Sequence, residues 1–178
     1  MKTIHLDQLK AGLPGITKAI GAYLAEAAAY CLDAQRHKPG VVLKVEGSFE
    51  AEFSLRWTDV IDDRTKQAWA DEKEATEYAA TAIAILLVRE LTEFELSKRL
   101  RQGDRADYFL AKKNAPSALA PEGFLEVSGI FEETPGNTIN MRLGIKKANI
   151  DKIQGREKTA IIIVVALNIP KAKIIVHD

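Results

Sequence analysis

A β-hairpin is predicted from the alternation of apolar and polar residues between Val41 and Trp57. Every odd-numbered position in this stretch is apolar or glycine, whereas the even-numbered positions are mostly charged residues or serine. A period of two places the apolar side chains on one face of a strand and the polar side chains on the other. We therefore predict a half-exposed antiparallel hairpin that turns around Gly47 and Ser48.

Three segments carry apolar residues at the three- and four-residue spacing that is typical of amphipathic helices. In the second of these segments the apolar stripe continues through Leu91 and Phe94, so no separate strand is predicted between this helix and residue 106. The predicted helices run from Pro14 to about Arg36, from the acidic segment after Asp59 to about Arg101, and from Asn137 or Thr138 to Gly155.

Short apolar runs that are rich in β-branched and aromatic residues predict strands in the second half of the chain. The second and third of these strands flank the third predicted helix, and a strand, a helix and a buried strand in succession form a crossover unit with parallel strands. We therefore predict an α/β or α+β fold with a mixed central sheet flanked by helices. The predicted strands are Ala106–Ala111, Phe124–Glu132, Thr159–Asn168 and Ala172–His177.

Length and composition favour one domain. The chain has 178 residues, of which 47% are hydrophobic, which is enough to bury a core and too few to suggest two domains. We assign residues 1–60 to an N-terminal helix and hairpin added to a core of residues 61–178. Lysine plus arginine and aspartate plus glutamate number 25 each, so the net charge attracts neither nucleic acid nor an anionic membrane.

Cysteine and histidine are too few for an internal disulfide or a zinc site, because Cys31 is the only cysteine and the three histidines are scattered. The most apolar run, residues 78–88, is about half the length of a membrane span, so we expect no membrane partner. The single cysteine and the polar N-terminus favour a cytoplasmic protein.

Two acidic residues, Asp107 and Glu126, lie in predicted strands among apolar neighbours. The strand of Glu126 is apolar on both faces, as in a buried central strand, and an ionised carboxylate is costly to bury unless it is paired or bound to a cation. Pairing of the two strands brings Asp107 close to Glu126. Carboxylates about 4 Å apart repel by roughly 4 kcal/mol at an effective dielectric constant near 20, so the pair requires a cation or a shared proton.

An acid on one strand and an acid-x-residue motif on the next resemble the PD-(D/E)xK signature of the restriction-endonuclease-like nucleases. The counterparts are Asp107 and Glu126-Val127-Ser128, and the resemblance extends from about Thr81 to Leu167. It implies a magnesium or manganese ion held by Asp107, Glu126 and the main-chain carbonyl of Val127. It also implies the attack of an activated water on a phosphodiester bond.

The chain departs from this signature at three places. Ser128 occupies the position of the lysine, and its hydroxyl carries no positive charge to orient a water or to stabilise a transition state. Ala106 occupies the position of the proline. The predicted elements also lack the strand that the common core has between its first helix and the first acid.

Residues from the following helix replace the lysine in some members of this fold. Lys146 and Lys147, with Arg142 one turn earlier, are the candidates in this chain. If none of them reaches Glu126, the resemblance implies a degenerate, binding-only relative instead of an enzyme.

Some members also use a glutamate from the preceding helix, and Glu90 can serve in that place. Glu90 falls on the apolar stripe of the long predicted helix, so its side chain points toward the core. There it would bind a second metal ion or accept a hydrogen bond. The alternative is a glutamate at the edge of the stripe that pairs with Arg89 or Lys98.

Two basic segments flank the predicted site in sequence. Residues 98–116 and 142–158 each contain six bases and two acids. They form either a surface that follows a nucleic-acid backbone or two ordinary solvated faces. No aromatic residues interleave with these bases in a way that predicts stacking of single-stranded bases. The candidate substrate-binding residues are Arg105, Arg142 and Ser128. Arg105 either forms a bidentate contact with a phosphate or forms an ion pair.

The leading prediction is a metal-dependent nuclease or phosphodiesterase that acts on nucleic acid. A second possibility is a catalytically inactive interaction subunit of a larger assembly, such as a defence or repair complex. In that case the hairpin 41–57 offers a strand edge to a protein partner or to a second copy of the chain. A third possibility is a small-molecule binder that uses the same polar cluster.

Overall fold

One mixed sheet of eight strands runs through the described part of the chain. The computed structural model describes residues 1–101, 106–114, 122–150 and 158–177. The strands are β1 (Lys2–His5), β2 (Val41–Gly47), β3 (Ala51–Arg56), β4 (Phe94–Arg99), β5 (Tyr108–Lys112), β6 (Gly123–Ile130), β7 (Thr159–Ala166) and β8 (Lys171–His177). Across the sheet they follow the order β1-β3-β2-β8-β7-β6-β5-β4.

Within the described ranges, α-helices and a short 3₁₀ helix pack around this sheet. They are α1 (Lys18–Ala34), α2 (Asp63–Ala68), α3 (Glu72–Leu91), α4 (Ile139–Ile150) and the 3₁₀ helix Leu6–Ala11. A side chain accepts a backbone N–H bond in the first turn of each α-helix, as is typical of helix starts. None of the described helices is long and apolar enough to span a bilayer. The capping residues are Thr17, Asp62, Asp71 and Thr138.

Helices cover both faces of the sheet around β7. Ile161, Ile163 and Val165 belong to the large core that includes α1 and α3, whereas Ile162 and Val164 belong to smaller clusters with α4. Because β7 is buried on both faces, its sequence is a continuous apolar run, as predicted. The predicted crossover unit is confirmed as well, since β6 and β7 pair in parallel and α4 connects them along the chain.

The hairpin predicted from residues 41 to 57 is confirmed. β2 and β3 pair antiparallel, and Leu43 lies opposite Phe53 on the buried face. The hairpin is not at an edge of the sheet, because β1 pairs with β3 and β8 pairs with β2. The expectation that it offers a free strand edge is therefore wrong, and a partner or a second copy would have to contact its exposed face.

The predicted helix to Arg101 is also wrong, because α3 ends at Leu91 and the next residues form β4. Thr92 terminates the helix: its hydroxyl donates to Val88 O at 2.7 Å and accepts from Phe94 N at 3.0 Å. Phe94 and Leu96 are then buried with a period of two, and β4 pairs antiparallel with β5. A separate strand thus lies between the long helix and Asp107. The predicted end of the last helix, Gly155, lies outside the described residues.

Candidate active site

Asp107, the residue just before β5, lies opposite Glu126 of β6. Tyr108 pairs with Leu125 in the antiparallel ladder, so the residue before Tyr108 faces the residue after Leu125. Side chains of directly opposite residues share one face of a sheet. Asp107 N donates to Leu125 O at 2.9 Å, and Asp107 Oδ2 accepts from Val127 N at 2.7 Å. These two bonds fix the Asp107 carboxylate against β6.

The carboxylate of Glu126 is buried and paired with a lysine. Glu126 is only 6% exposed, and its Oε1 lies 2.5 Å from the Nζ of Lys146 on α4. Lys146 is the candidate from the following helix that reaches the acid. Lys147, the next residue, is exposed and does not line the cavity described below, because successive helix residues point about 100° apart.

The pKa of the Glu126 carboxyl is raised to about 7. Burial is the largest cause and the nearby Asp107 carboxylate adds to it, whereas the Lys146 ammonium opposes both effects. A buried acid beside a second carboxylate favours its protonated form. Near neutral pH the Glu126 carboxyl is therefore divided between its protonated and ionised forms. It is able both to hold a proton and to accept a cation in place of that proton.

The oxygen atoms that could bind a metal ion here belong to two carboxylates, those of Asp107 and Glu126, and to one main-chain carbonyl group. The Val127 N–H points toward Asp107, and in an antiparallel ladder the N–H and the C=O of one residue point to the same neighbouring strand. The Val127 carbonyl therefore lies on the Asp107 side of β6. Carboxylate and carbonyl oxygens suit magnesium and manganese. Among the described residues no group of three or more histidine, cysteine or acidic side chains is placed to hold a metal ion, so a metal here would have two carboxylates as its side-chain ligands.

A cavity of about 650 Å³ opens beside Asp107. Its floor is the part of β6 from Val127 to Ile130, and α3 and α4 contribute its walls. β5 pairs only with residues 123–125 of β6, so within the described ranges no strand covers the rest of that edge. Asp107 and Lys146 line the cavity, whereas the buried Glu126 does not and reaches it only through its contact with Lys146.

Two of the three candidate substrate-binding residues also line this cavity. Arg142 Nε donates to Asn137 Oδ1 at 2.7 Å, which holds the guanidinium without neutralising its charge. Ser128 is buried on β6, two residues after Glu126 and on the same face of the strand. Arg105 lies outside the described residues.

Glu90 does not join this cluster. Its carboxylate forms an ion pair with Lys2 of β1, so the predicted pairing with Arg89 or Lys98 is not found. From α3, Glu77 and Glu72 line the cavity instead. Glu90 is nine residues beyond Thr81, the last residue of α3 that lines the cavity, or roughly 13.5 Å along the helix axis at about 1.5 Å per residue. The expectation that Glu90 contributes to the site is therefore wrong.

Other cavity residues were not identified from the sequence. Arg99 is the last residue of β4, a segment that we predicted to be helical. Tyr78 of α3, Tyr108 of β5 and Phe131, which follows β6, are distant in sequence and come to line one cavity only in the folded chain.

Comparisons of the chain with protein-family models, with curated proteins and with solved structures found no match. The function of the cavity is therefore inferred from its own residues.

Proposed function

We propose that the chain is a magnesium-dependent nuclease that hydrolyses phosphodiester bonds in nucleic acid. The contact between Lys146 and Glu126 carries this proposal: the Nζ of Lys146 lies 2.5 Å from the Oε1 of Glu126. Asp107, just before β5, lies opposite Glu126. Two acids on adjacent strands and a lysine from the following helix provide the charges of the PD-(D/E)xK signature although Ser128 replaces its lysine.

The order of elements supports the same proposal. α3, β4, β5, β6, α4 and β7 follow one another, and β4 to β7 are neighbours in the sheet. In this proposal β4 would correspond to the core strand that was missing from the predicted elements. Asp107 directly precedes β5, and Glu126 lies within β6.

Asp107, Glu126 and the Val127 carbonyl would hold a magnesium or manganese ion. Their hard oxygen atoms fit either ion, and a cation would relieve the repulsion between the two carboxylates. When bound, the ion would polarise a phosphoryl oxygen and favour a nucleophilic water at neutral pH.

The chain's own side chains would position the substrate. Lys146 would donate a hydrogen bond to the attacking water and place a positive charge beside the phosphate oxygens, where charge develops in the transition state. Arg142, held by Asn137, would direct its remaining N–H groups at a phosphate. Ser128 would donate its hydroxyl hydrogen to the substrate.

Cleavage of labelled DNA and RNA with magnesium, with manganese or with EDTA tests this function. We expect metal-dependent cleavage that falls at least 100-fold in Asp107→Asn, Glu126→Gln and Lys146→Gln. Lys147→Gln is the matched control, since it removes the same charge from the adjacent position of α4 and should cleave as the parent does. Cleavage that survives Glu126→Gln and Lys146→Gln unchanged would contradict the proposal.

The burial of Glu126 favours a second candidate function. Glu126 is only 6% exposed and is already paired with Lys146. This ion pair can have a purely structural role, in which it holds α4 against the sheet. The chain would then be a catalytically inactive interaction subunit that binds a protein partner or a second copy. Stoichiometric co-purification of a partner, together with no metal binding by the parent, would select this function.

A further inference from the structure

The cavity beside Asp107 is narrow and bounded on two sides by helices. At about 650 Å³ it lies within the range of pockets that enclose drug-sized ligands, roughly 300–1,000 Å³. Such a space accommodates one or two nucleotides of a single chain. A single strand therefore fits it more readily than a double helix does.

Three aromatic side chains line the cavity, although the sequence showed no interleaving of aromatic and basic residues. They come from α3 (Tyr78), from β5 (Tyr108) and from the residue that follows β6 (Phe131). Tyr108 is only 5% exposed and belongs to the hydrophobic core, so the half-buried rings of Tyr78 and Phe131 are the ones open to a ligand. The Tyr78 ring is held by edge contacts with Tyr23 and Trp69, at centroid distances of 5.0 and 6.3 Å. Aromatic side chains that are fixed in a groove are the usual platforms on which unpaired bases stack.

Four cationic side chains from three elements line the same cavity. Arg99 is at the end of β4, Lys73 is in the first turn of α3, and α4 contributes the other two. Four carboxylates line the cavity as well, so its charges balance. A polyanion therefore requires the divalent cation that the two strand acids would hold. The cations are Lys73, Arg99, Arg142 and Lys146, and the carboxylates are Glu72, Glu77, Asp107 and Glu132.

We infer that this cavity takes a single strand of nucleic acid, with bases on Tyr78 and Phe131 and phosphates on the arginines, and that it discriminates against a duplex. The inference rests on the proposed nuclease function and specifies its substrate. It treats DNA and RNA alike, because stacking and phosphate contacts are common to both.

Fluorescence anisotropy with 5′-fluorescein-labelled dT12, rU12 and a 12-base-pair DNA duplex tests the inference. The titrations are carried out in calcium, a hard cation that suits oxygen ligands, and in EDTA. We expect both single strands to bind at least tenfold more tightly than the duplex in calcium, and to lose most of that affinity in EDTA.

Two pairs of variants test the walls of the cavity. Arg99→Gln should weaken single-strand binding several-fold and reduce the salt dependence by about 0.7, the value for one phosphate contact on a single strand. Arg56→Gln is its matched control, since it removes an exposed arginine from the end of β3, far across the sheet. Tyr78→Leu should also weaken binding, whereas Tyr78→Phe keeps the ring and should bind as the parent does.

The outcomes separate this inference from the proposed function. Duplex that binds as tightly as the single strands, and is cleaved in magnesium, would overturn the inference and leave the nuclease in place. No binding and no cleavage of any of the three would overturn both. If Arg99→Gln and Arg56→Gln lost the same affinity for single-stranded nucleic acid, the nucleic acid would bind outside this cavity, which would overturn the inference as well.

Discussion

The ammonium of Lys146 on α4 lies 2.5 Å from the carboxylate of Glu126 on β6, although the two residues are 20 positions apart in the chain. α4 connects β6 to β7 and packs over the face of the sheet on which Glu126 lies. The contact therefore depends on the crossover, and it sets the charge and the protonation of the candidate active site.

Removal of Lys146 should destabilise the fold most at high pH. In Lys146→Met the ionised Glu126 carboxylate is left buried without its partner, a change that typically costs about 3 kcal/mol. At pH 5.5, where burial keeps this carboxyl protonated, the cost should shrink. Urea denaturation at pH 5.5 and at pH 8 measures both values.

Lys147→Met is the control for this experiment, because Lys147 is exposed and should change the free energy of unfolding by less than about 0.5 kcal/mol. If both variants lost the same free energy at pH 8, the contact between Lys146 and Glu126 would contribute nothing to stability.

Stability should fall as the pH rises from about 5 to about 7.5. The pKa of Glu126 is about 7 in the folded chain and near the model-compound value of 4.5 when unfolded. Between these values the folded state binds more protons than the unfolded state, so a rise in pH favours unfolding. Other carboxyls with a shifted pKa, such as Asp7 and Asp62, are shifted downward and act at lower pH.

The size of this effect should be on the order of 2 kcal/mol, since one pKa unit corresponds to about 1.4 kcal/mol. Thermal melts between pH 5 and pH 8 measure it. In Glu126→Gln, which has no titrating group at this position, the decline should disappear. A decline of equal size in this variant would assign it to another group.

Gly129 should tolerate no larger residue. A Cβ atom at this position would lie 2.5 Å from the Thr76 carbonyl oxygen of α3, so the helix and β6 would have to separate. We expect Gly129→Ala to cost about 2 kcal/mol, within the usual range for overpacking. Chemical denaturation provides the measurement.

Gly144→Ala is the matched control, because a Cβ at Gly144 meets nothing within 4 Å. Alanine in a helix interior should stabilise the chain by roughly 0.5–1 kcal/mol. Destabilisation by both substitutions would indicate a general cost of alanine at glycine positions instead of a tight contact between α3 and β6.

The sequence predicted those parts of the fold that a regular period encodes. The hairpin followed from strict alternation between Val41 and Trp57, and β7 followed from its continuous β-branched run. The closeness of Asp107 and Glu126 agrees with the predicted pairing of the two strands, but the register that puts both acids on one face is visible only in the structure. Lys146 was one of two adjacent lysines, and only the packing of α4 distinguishes it from its neighbour.

β4 was missed because local hydrogen bonds decide where α3 ends. The apolar residues Leu91 and Phe94 continue a helical spacing, so the pattern favoured one long helix. The Thr92 hydroxyl ends the helix by bonding to both Val88 and Phe94, and pairing with β5 then stabilises the strand. Neither interaction is visible in the spacing of apolar residues.

Glu90 was misplaced for a related reason. Its position on the apolar stripe of α3 indicated a buried role, but its partner Lys2 lies 88 positions away, on a strand at the edge of the sheet. The helical period predicts only the direction in which a side chain points around the axis of its helix. It carries no information on which distant strand comes to lie beside that point of the helix.

Calorimetric titration with manganese tests the central claim most directly, with the parent, Glu126→Gln and Glu90→Gln compared at pH 7.5. We expect the parent and Glu90→Gln to bind one ion at the acid pair and Glu126→Gln to bind none. If the parent binds no manganese, or if Glu126→Gln binds it as the parent does, Asp107 and Glu126 do not form a metal site and the nuclease proposal is wrong.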